Sequence, residues 1–374
     1  MKRTADIHHH ALARGLCARI HDAVELRRRY RLMSFCRSHT LAIARHGLVA
    51  LLPPQVELIY GPGCPECVLP ASHIDRMIAL TRMHNITLCV SDAMLRVPGA
   101  SRANLLEARA AGADIVSLEA ASDALVLARA NPQRDIVYVA TGFETAAPET
   151  AEALMRARAL ACSNFSVLCH HVLTPAAMRH LVADDAIGER TPLNGFLAPS
   201  HVSEVIGVSP YRSISRDFVK PVVIAGPEAT DVLQAVLMLV GQINECRADT
   251  ENQYTRAVTE AGDIDAQRLV DEVFEVRDSF VWRQLGEVRH SALALRPAFA
   301  QWDAGRRYAL AWDERGDEAT SDAISDTTSD AISDATSLTS GAMLCTPFTP
   351  LGLRPGGANV SACGGYEQVL ARAS

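Results

Sequence analysis

Long hydrophobic runs are what this 374-residue sequence most plainly lacks. Its longest apolar stretch, around Val232–Val240, falls well short of the ~20 residues that span a bilayer, so no membrane partner is expected. MKRTADIHHH is polar and no apolar segment follows it, so no export signal is read and the cytoplasm is the expected compartment. Basic surplus is missing too. Lys and Arg total 36 against 43 Asp and Glu, a net charge of −7, which argues against nucleic acid as the main partner. Neither a P-loop nor GxGxxG occurs, and GxSxG and HExxH are also absent, so these nucleotide, serine-hydrolase and zinc-protease signatures give no support. Cysteine is too sparse for a disulfide scaffold, at ten residues in the whole chain.

What is present is ordinary soluble composition, 48% apolar and 21% charged, on a chain long enough for two or three domains. Short β-rich runs stand at VELIY (56–60), ITLCV (86–90), DIVSL (114–118), DIVYVA (135–140), NFSVL (164–168), GFL (195–197) and PVVIA (221–225). Segments of helical spacing such as HIDRMIALTRMH lie between them, with helix starts at Ser72/Asp75 and Ser101 and a helix end at Gly112. Strands alternating with helices predict parallel sheets covered on both faces. The expected architecture is α/β: two similar three-layer parallel-sheet domains and a third, mixed and mainly helical domain.

The expected boundaries follow from composition. Residues 1–40 form a helical segment packing with the third domain, and 41–131 the first α/β domain. Residues 132–226 form the second, dividing from the first at Asn131-Pro132, and 227–314 the third. The octads SDAISDTT and SDAISDAT place a disordered acidic linker at 315–340, followed by a tail at 341–374. His8–His10 read as a solvated segment, and Cys89, Cys162 and Cys246 as small buried hydrophobes.

Unusual loop chemistry follows the strands. GPGCPEC comes after VELIY, MLRVPG after ITLCV, TGFET after DIVYVA, CHH after NFSVL and APSH after GFL. Ligands of open α/β sheets bind beyond the carboxyl ends of the strands, so these loops are expected to converge on one cleft. Cys64-Pro-Glu-Cys67 resembles a thiol–disulfide couple; it is also half a zinc knuckle, but no second CxxC exists. Cys36 and His39, three apart, offer an activated thiolate or a soft metal ligand, or else an inert pair. Glu144 of TGFET is a candidate to accept a proton or pair with a cation, with a structural carboxylate as the alternative, and His171 and His201 add polar groups at strand ends.

Taken together these strings resemble the HypD family of hydrogenase maturation proteins. The matching pieces include FCRSHTLAI (35–43), IYGPGCPECVLP (59–70), ATGFETAAPET (140–150), NFSVLCHHVLTPAAM (164–178), GFLAPSHVSEVIG (195–207) and VFEVRDSFVWRQLG (273–286). The resemblance implies a scaffold that builds the Fe(CN)2CO centre of [NiFe]-hydrogenases with a small HypC-type chaperone and a HypE-type cyanide donor, and with the hydrogenase large subunit as a further partner. It makes Cys36 an iron ligand, with Cys64 and Cys67 a redox pair that is also a candidate iron-ligand set. Glu144 is then the candidate acid–base group, and His39, His171 and His201 are supporting groups. It also implies a [4Fe–4S] cluster held by four cysteines near the end of the chain. Only Cys345 and Cys363 stand there, matching the last two, and the acidic octads occupy the place of the first two. Arg37 and Ser38 replace two glycines of the family's CGGHTH, and Leu41 replaces its second histidine. Two further functions therefore compete with the iron scaffold: a cluster-less thiol–disulfide oxidoreductase or iron carrier, and a non-catalytic paralogue that binds the chaperone.

Overall fold

The computed structural model describes residues 2–183 and 192–310. The acidic octads, Cys345 and Cys363 lie outside the described residues, as do the side chains of His8–His10. Nine strands build two parallel sheets: β1 (Tyr30–Ser34), β2 (Val56–Tyr60), β3 (Ile86–Val90), β4 (Ile115–Ser117), β5 (Asp135–Gly142), β6 (Phe165–His171), β7 (Gly195–Pro199), β8 (Val222–Ala225) and β9 (Thr250–Asn252). The five-stranded sheet runs β2-β1-β7-β8-β9 and the four-stranded one β4-β3-β5-β6. Each order reverses once, between β1 and β7 in the first and between β3 and β5 in the second. The α/β expectation with two similar parallel sheets holds.

The boundary expected at Asn131-Pro132 does not separate these sheets. It falls inside the four-stranded sheet, between the helix Ala121–Ala130 and β5. The chain builds β1 and β2, leaves to complete the second sheet, and returns at β7 beside β1. One strand is also missing from the sequence reading. The segment around AVELRRRYRL is not helical throughout. The first helix spans Lys2–Ala23, and Tyr30 opens β1 at an inner position of its sheet. The arginines disguise it: Arg31 stays on the strand because Glu57 of β2 accepts from its Nε at 2.8 Å.

Period-two alternation sorts side chains to opposite faces. Val137 and Val139 of β5 join Met33, Ile59, Leu88 and Ile224 in a core shared by both sheets. Ile136, Tyr138 and Ala140 face instead the alanine-rich helices Ala121–Ala130 and Ala147–Ala159. The outer face of the five-stranded sheet is covered by Ala229–Asn244, whose Val232, Leu233, Val236 and Leu239 are buried with Leu16 and Ile20 of the first helix. Residues 1–40 thus divide between that outer layer and the sheet itself. Cys89 and Cys162 are buried as expected, but Cys246 is exposed, because it lies past the end of Ala229–Asn244 at a positive φ.

Residues 251–310 form the mixed portion. They carry the helix Ile264–Val273 and two small antiparallel sheets, β10 (Phe274–Val276) with β13 (Leu293–Leu295) and β11 (Ser279–Trp282) with β12 (Gly286–Arg289). These antiparallel strands go beyond the helical segments read from the sequence.

Candidate functional site

Strand-order reversals in open α/β sheets leave a crevice at their carboxyl ends. Cys36 follows β1 and Ser200-His201 follows β7, the two strands flanking one reversal; Glu144 follows β5 at the other. Glu144 and His201, one from each reversal, lie within electrostatic reach of each other.

Cys36 precedes the helix Arg37–Arg45 in an extended conformation and is 1% exposed. His201 Nδ1 lies 3.7 Å from its sulfur. His39, one helical turn on and fully buried, is fixed at both ring nitrogens: Nε2 lies 3.0 Å from the Ala225 carbonyl and Nδ1 3.0 Å from Ser34 Oγ. Burial alone would raise the Cys36 thiol. The imidazoles of His39 and His201 outweigh it and hold the thiol well below its ordinary value. Both imidazoles are in turn raised against their own burial by the Cys36 sulfur. The result is a buried thiol that its two neighbouring imidazoles bias toward the thiolate, a soft and activated donor.

The GPGCPEC loop lies directly on this turn. Gly61 N–H donates to the Ser34 carbonyl at 2.9 Å. A Cβ on Gly63 would sit 3.0 Å from the Cys36 nitrogen and from the Phe35 carbonyl carbon, so the two backbones meet closely enough that a side chain there would push them apart. Cys64 precedes the single turn Pro65–Val68 and Cys67 lies within it; the two form a disulfide, with Cα atoms 5.3 Å apart. Glu66 Oε2 lies 3.4 Å from Cys64 Sγ, and burial raises this carboxyl.

Glu144 is 6% exposed and caps the helix Thr174–Ala183. It accepts the Thr174 N–H at 2.7 Å and the Thr174 hydroxyl at 2.9 Å. Burial pushes its pKa up to about 7 in spite of these bonds. A carboxyl with a higher pKa folded than unfolded binds more protons in the native state. Stability then falls as pH rises from 4.5, the ordinary value, through about 7. Glu144→Gln cannot ionise and should lack this slope. In urea unfolding, wild type should lose roughly 3 kcal/mol relative to the variant between about pH 4 and about pH 8. Parallel stability curves would contradict the raised pKa.

His171 is placed elsewhere. Its Nε2 lies 3.0 Å from Thr150 Oγ1, its ring packs edge-on against Phe274, and burial lowers its pKa to about 4. Its neighbour His170 stacks 5.0 Å from His73. The structure therefore gathers Cys36, His39, His201 and the Cys64–Cys67 loop, with Glu144 in reach across the cleft. The sequence reading left two residues of this neighbourhood unnamed. Tyr211 is fully buried, accepts from Ser203 at 3.2 Å, and is raised first by burial and then by the charges of Glu144 and Cys36. Arg283, the residue after β11, reaches the CPEC loop, and nothing in its local sequence signals this contact.

The family model HypD, described as the Hydrogenase formation hypA family, matches residues 11–364. The chain belongs to the HypD family. It is 50% identical over 311 residues to the hydrogenase maturation factor HypD of Azotobacter vinelandii, covering 83% of this chain and 82% of that protein. It is 43% identical over 354 residues to the HypD of Cupriavidus necator, covering 94% and 93%, and 40% identical over 291 residues to that of Escherichia coli, covering 78% and 77%. The described part holds no helix long and apolar enough to cross a membrane. Its departures from the HypD-type CGGHTH string are accommodated by geometry. Arg37 lies within electrostatic reach of Glu66 in the GPGCPEC loop, and Leu41 is 37% exposed on the far side of the helix from buried His39.

Proposed function

We propose that this HypD-type chain is a scaffold on which iron receives cyanide and carbon monoxide, held jointly with a HypC-type chaperone, supplied by a HypE-type cyanide donor and passed to a hydrogenase large subunit. The observation that carries the reading is the buried Cys36 sulfur, 3.7 Å from His201 and with its pKa lowered by His39 and His201, on a turn whose backbone meets the loop of the Cys64–Cys67 disulfide. Low-spin iron with π-acid ligands suits a soft thiolate. In this reading the iron is a cargo whose remaining ligands come from the partner and from the diatomics. Within the chain, Cys36 binds, His39 and His201 keep it anionic, and the burial of the site excludes water from a labile intermediate. The Cys64–Cys67 pair supplies two electrons as a dithiol or stores an oxidised state as a disulfide.

Infrared spectroscopy of the chain co-purified anaerobically with its chaperone tests the reading. Cyanide and carbonyl stretches are expected. The disulfide also favours a second reading, a thiol–disulfide oxidoreductase or iron carrier. A chain whose disulfide cycles while its infrared spectrum stays empty would select that one. A chain that binds the chaperone with neither property would be a non-catalytic paralogue.

A further inference from the structure

The β11–β12 hairpin approaches the redox loop from a remote part of the chain. Trp282 ends β11 fully buried, donates from Nε1 to Ser291 Oγ at 2.9 Å, and lies 6.5 Å from the Phe143 ring of the GFET loop. This fixes the next residue, Arg283, over two loops at once. Its backbone N–H donates to the Val68 carbonyl at 2.7 Å and its Nε to the Leu69 carbonyl at 2.7 Å. Its Nη2 donates to the Pro98 carbonyl at 3.0 Å. Val68 and Leu69 close the turn that carries Cys67, and Pro98 belongs to the LRVPG loop after β3. That second loop is itself anchored, because Asp75 accepts from Ala100 N–H at 2.8 Å and from the Ser101 hydroxyl at 2.6 Å.

Arg283 forms no ion pair with a carboxylate among the described residues; Asp75 acts on it only at longer range, and burial lowers its pKa. Placing a guanidinium there without a paired charge costs stability. What it gains is geometry, since the planar fork satisfies carbonyls of two loops in fixed directions.

We infer that Arg283 is a positioning residue for the Cys64–Cys67 couple, holding the Val68–Leu69 end of the turn against the Pro98 loop so that the two sulfurs stay in bonding register. The inference rests on the reading of this pair as a reversible couple. A pinned turn raises the effective concentration of one thiol at the other, which favours the closed form. With glutathione as reductant, the Cys64–Cys67 bond breaks and a bond between two glutathione sulfurs forms. Two electrons and two protons pass to the protein. The clamp shifts this equilibrium toward the protein disulfide.

The test equilibrates the full chain anaerobically in glutathione redox buffers and reads the fraction of disulfide by thiol trapping and mass spectrometry. Arg283→Gln loses fork and charge, and Arg283→Lys loses the fork but keeps the charge. Both are expected to lower the equilibrium constant for the disulfide about tenfold, which is about 30 mV toward less reducing potentials. Asp75→Asn, which loosens the Pro98 loop and leaves Arg283 in place, is expected to shift it the same way by less, and it carries the test if the Arg283 variants do not fold. Wild-type equilibria in folded Arg283 variants, or in Asp75→Asn where those do not fold, overturn the inference. So does a wild-type value in Arg283→Lys beside a shifted Arg283→Gln, which assigns the effect to charge. A wild-type pair that never cycles overturns the couple itself, a failure distinguishable from the others because it precedes any variant.

Discussion

Cys36→Ser is expected to abolish iron retention and hydrogenase maturation while leaving the fold intact. Serine removes the soft donor and replaces it by a hydroxyl that does not ionise near neutral pH. The wild-type thiol is biased toward its anion because His39 and His201 outweigh the burial that opposes ionisation. Removing one of the two imidazoles should therefore weaken the site without erasing it. His201→Gln, which loses the 3.7 Å contact to the sulfur but leaves His39 in place between Ser34 and Ala225, is expected to retain part of the iron. Two measurements check this: iron content of the complex purified with its chaperone, and hydrogenase activity in a host deprived of its own HypD. A Cys36→Ser chain that still matures the enzyme would remove Cys36 from the ligand set and with it the proposed function.

The strands rich in β-branched residues were legible because their burial is nearly complete. VELIY and ITLCV coincide with β2 and β3 residue for residue. β1 was hidden because RRRYRLMS mixes charge into an inner strand, and only the partner strand explains it, through Glu57 on Arg31. The division of the chain was not legible for a different reason. Periodicity shows that a segment is a strand but not which strand it pairs with, and here the chain leaves one sheet after β2 and returns to it at β7. The site residues at strand ends were legible as a group because topology sends all those loops to one side. Individual side chains were separable only by parity. His171 shares its face of β6 with Val167 and Cys169, which lie in the outer core against the helices, and so it turns away from Cys36. Arg283 was out of reach, since nothing local says that a hairpin more than two hundred residues on will clasp the Cys67 turn.

Purified without oxygen, the chain is expected to carry no stoichiometric [4Fe–4S] cluster. Such a cluster takes about four thiolates, and the tail offers Cys345 and Cys363 alone. The other cysteines are poorly suited to make up the number. Cys36, Cys64 and Cys67 belong to the cleft. Cys89 and Cys169 sit in the interiors of β3 and β6, where burial pushes their thiols up to about 12 and about 11, far from the thiolate a cluster needs. Cys162 is also buried, and its thiol is raised. That leaves Cys17, half-buried on the first helix, and exposed Cys246 beyond Ala229–Asn244, the helix packed against it. Iron and acid-labile sulfide analysis decides the matter, with contents far below about four of each per chain expected. A brown protein holding about four of each would show that Cys17 and Cys246 have been recruited, and a Cys17→Ser, Cys246→Ser double variant should then lose the colour. If the chain is cluster-free, the Cys64–Cys67 disulfide is expected to take its electrons from an external dithiol of the thioredoxin kind, and added reduced thioredoxin should open it without any iron–sulfur relay.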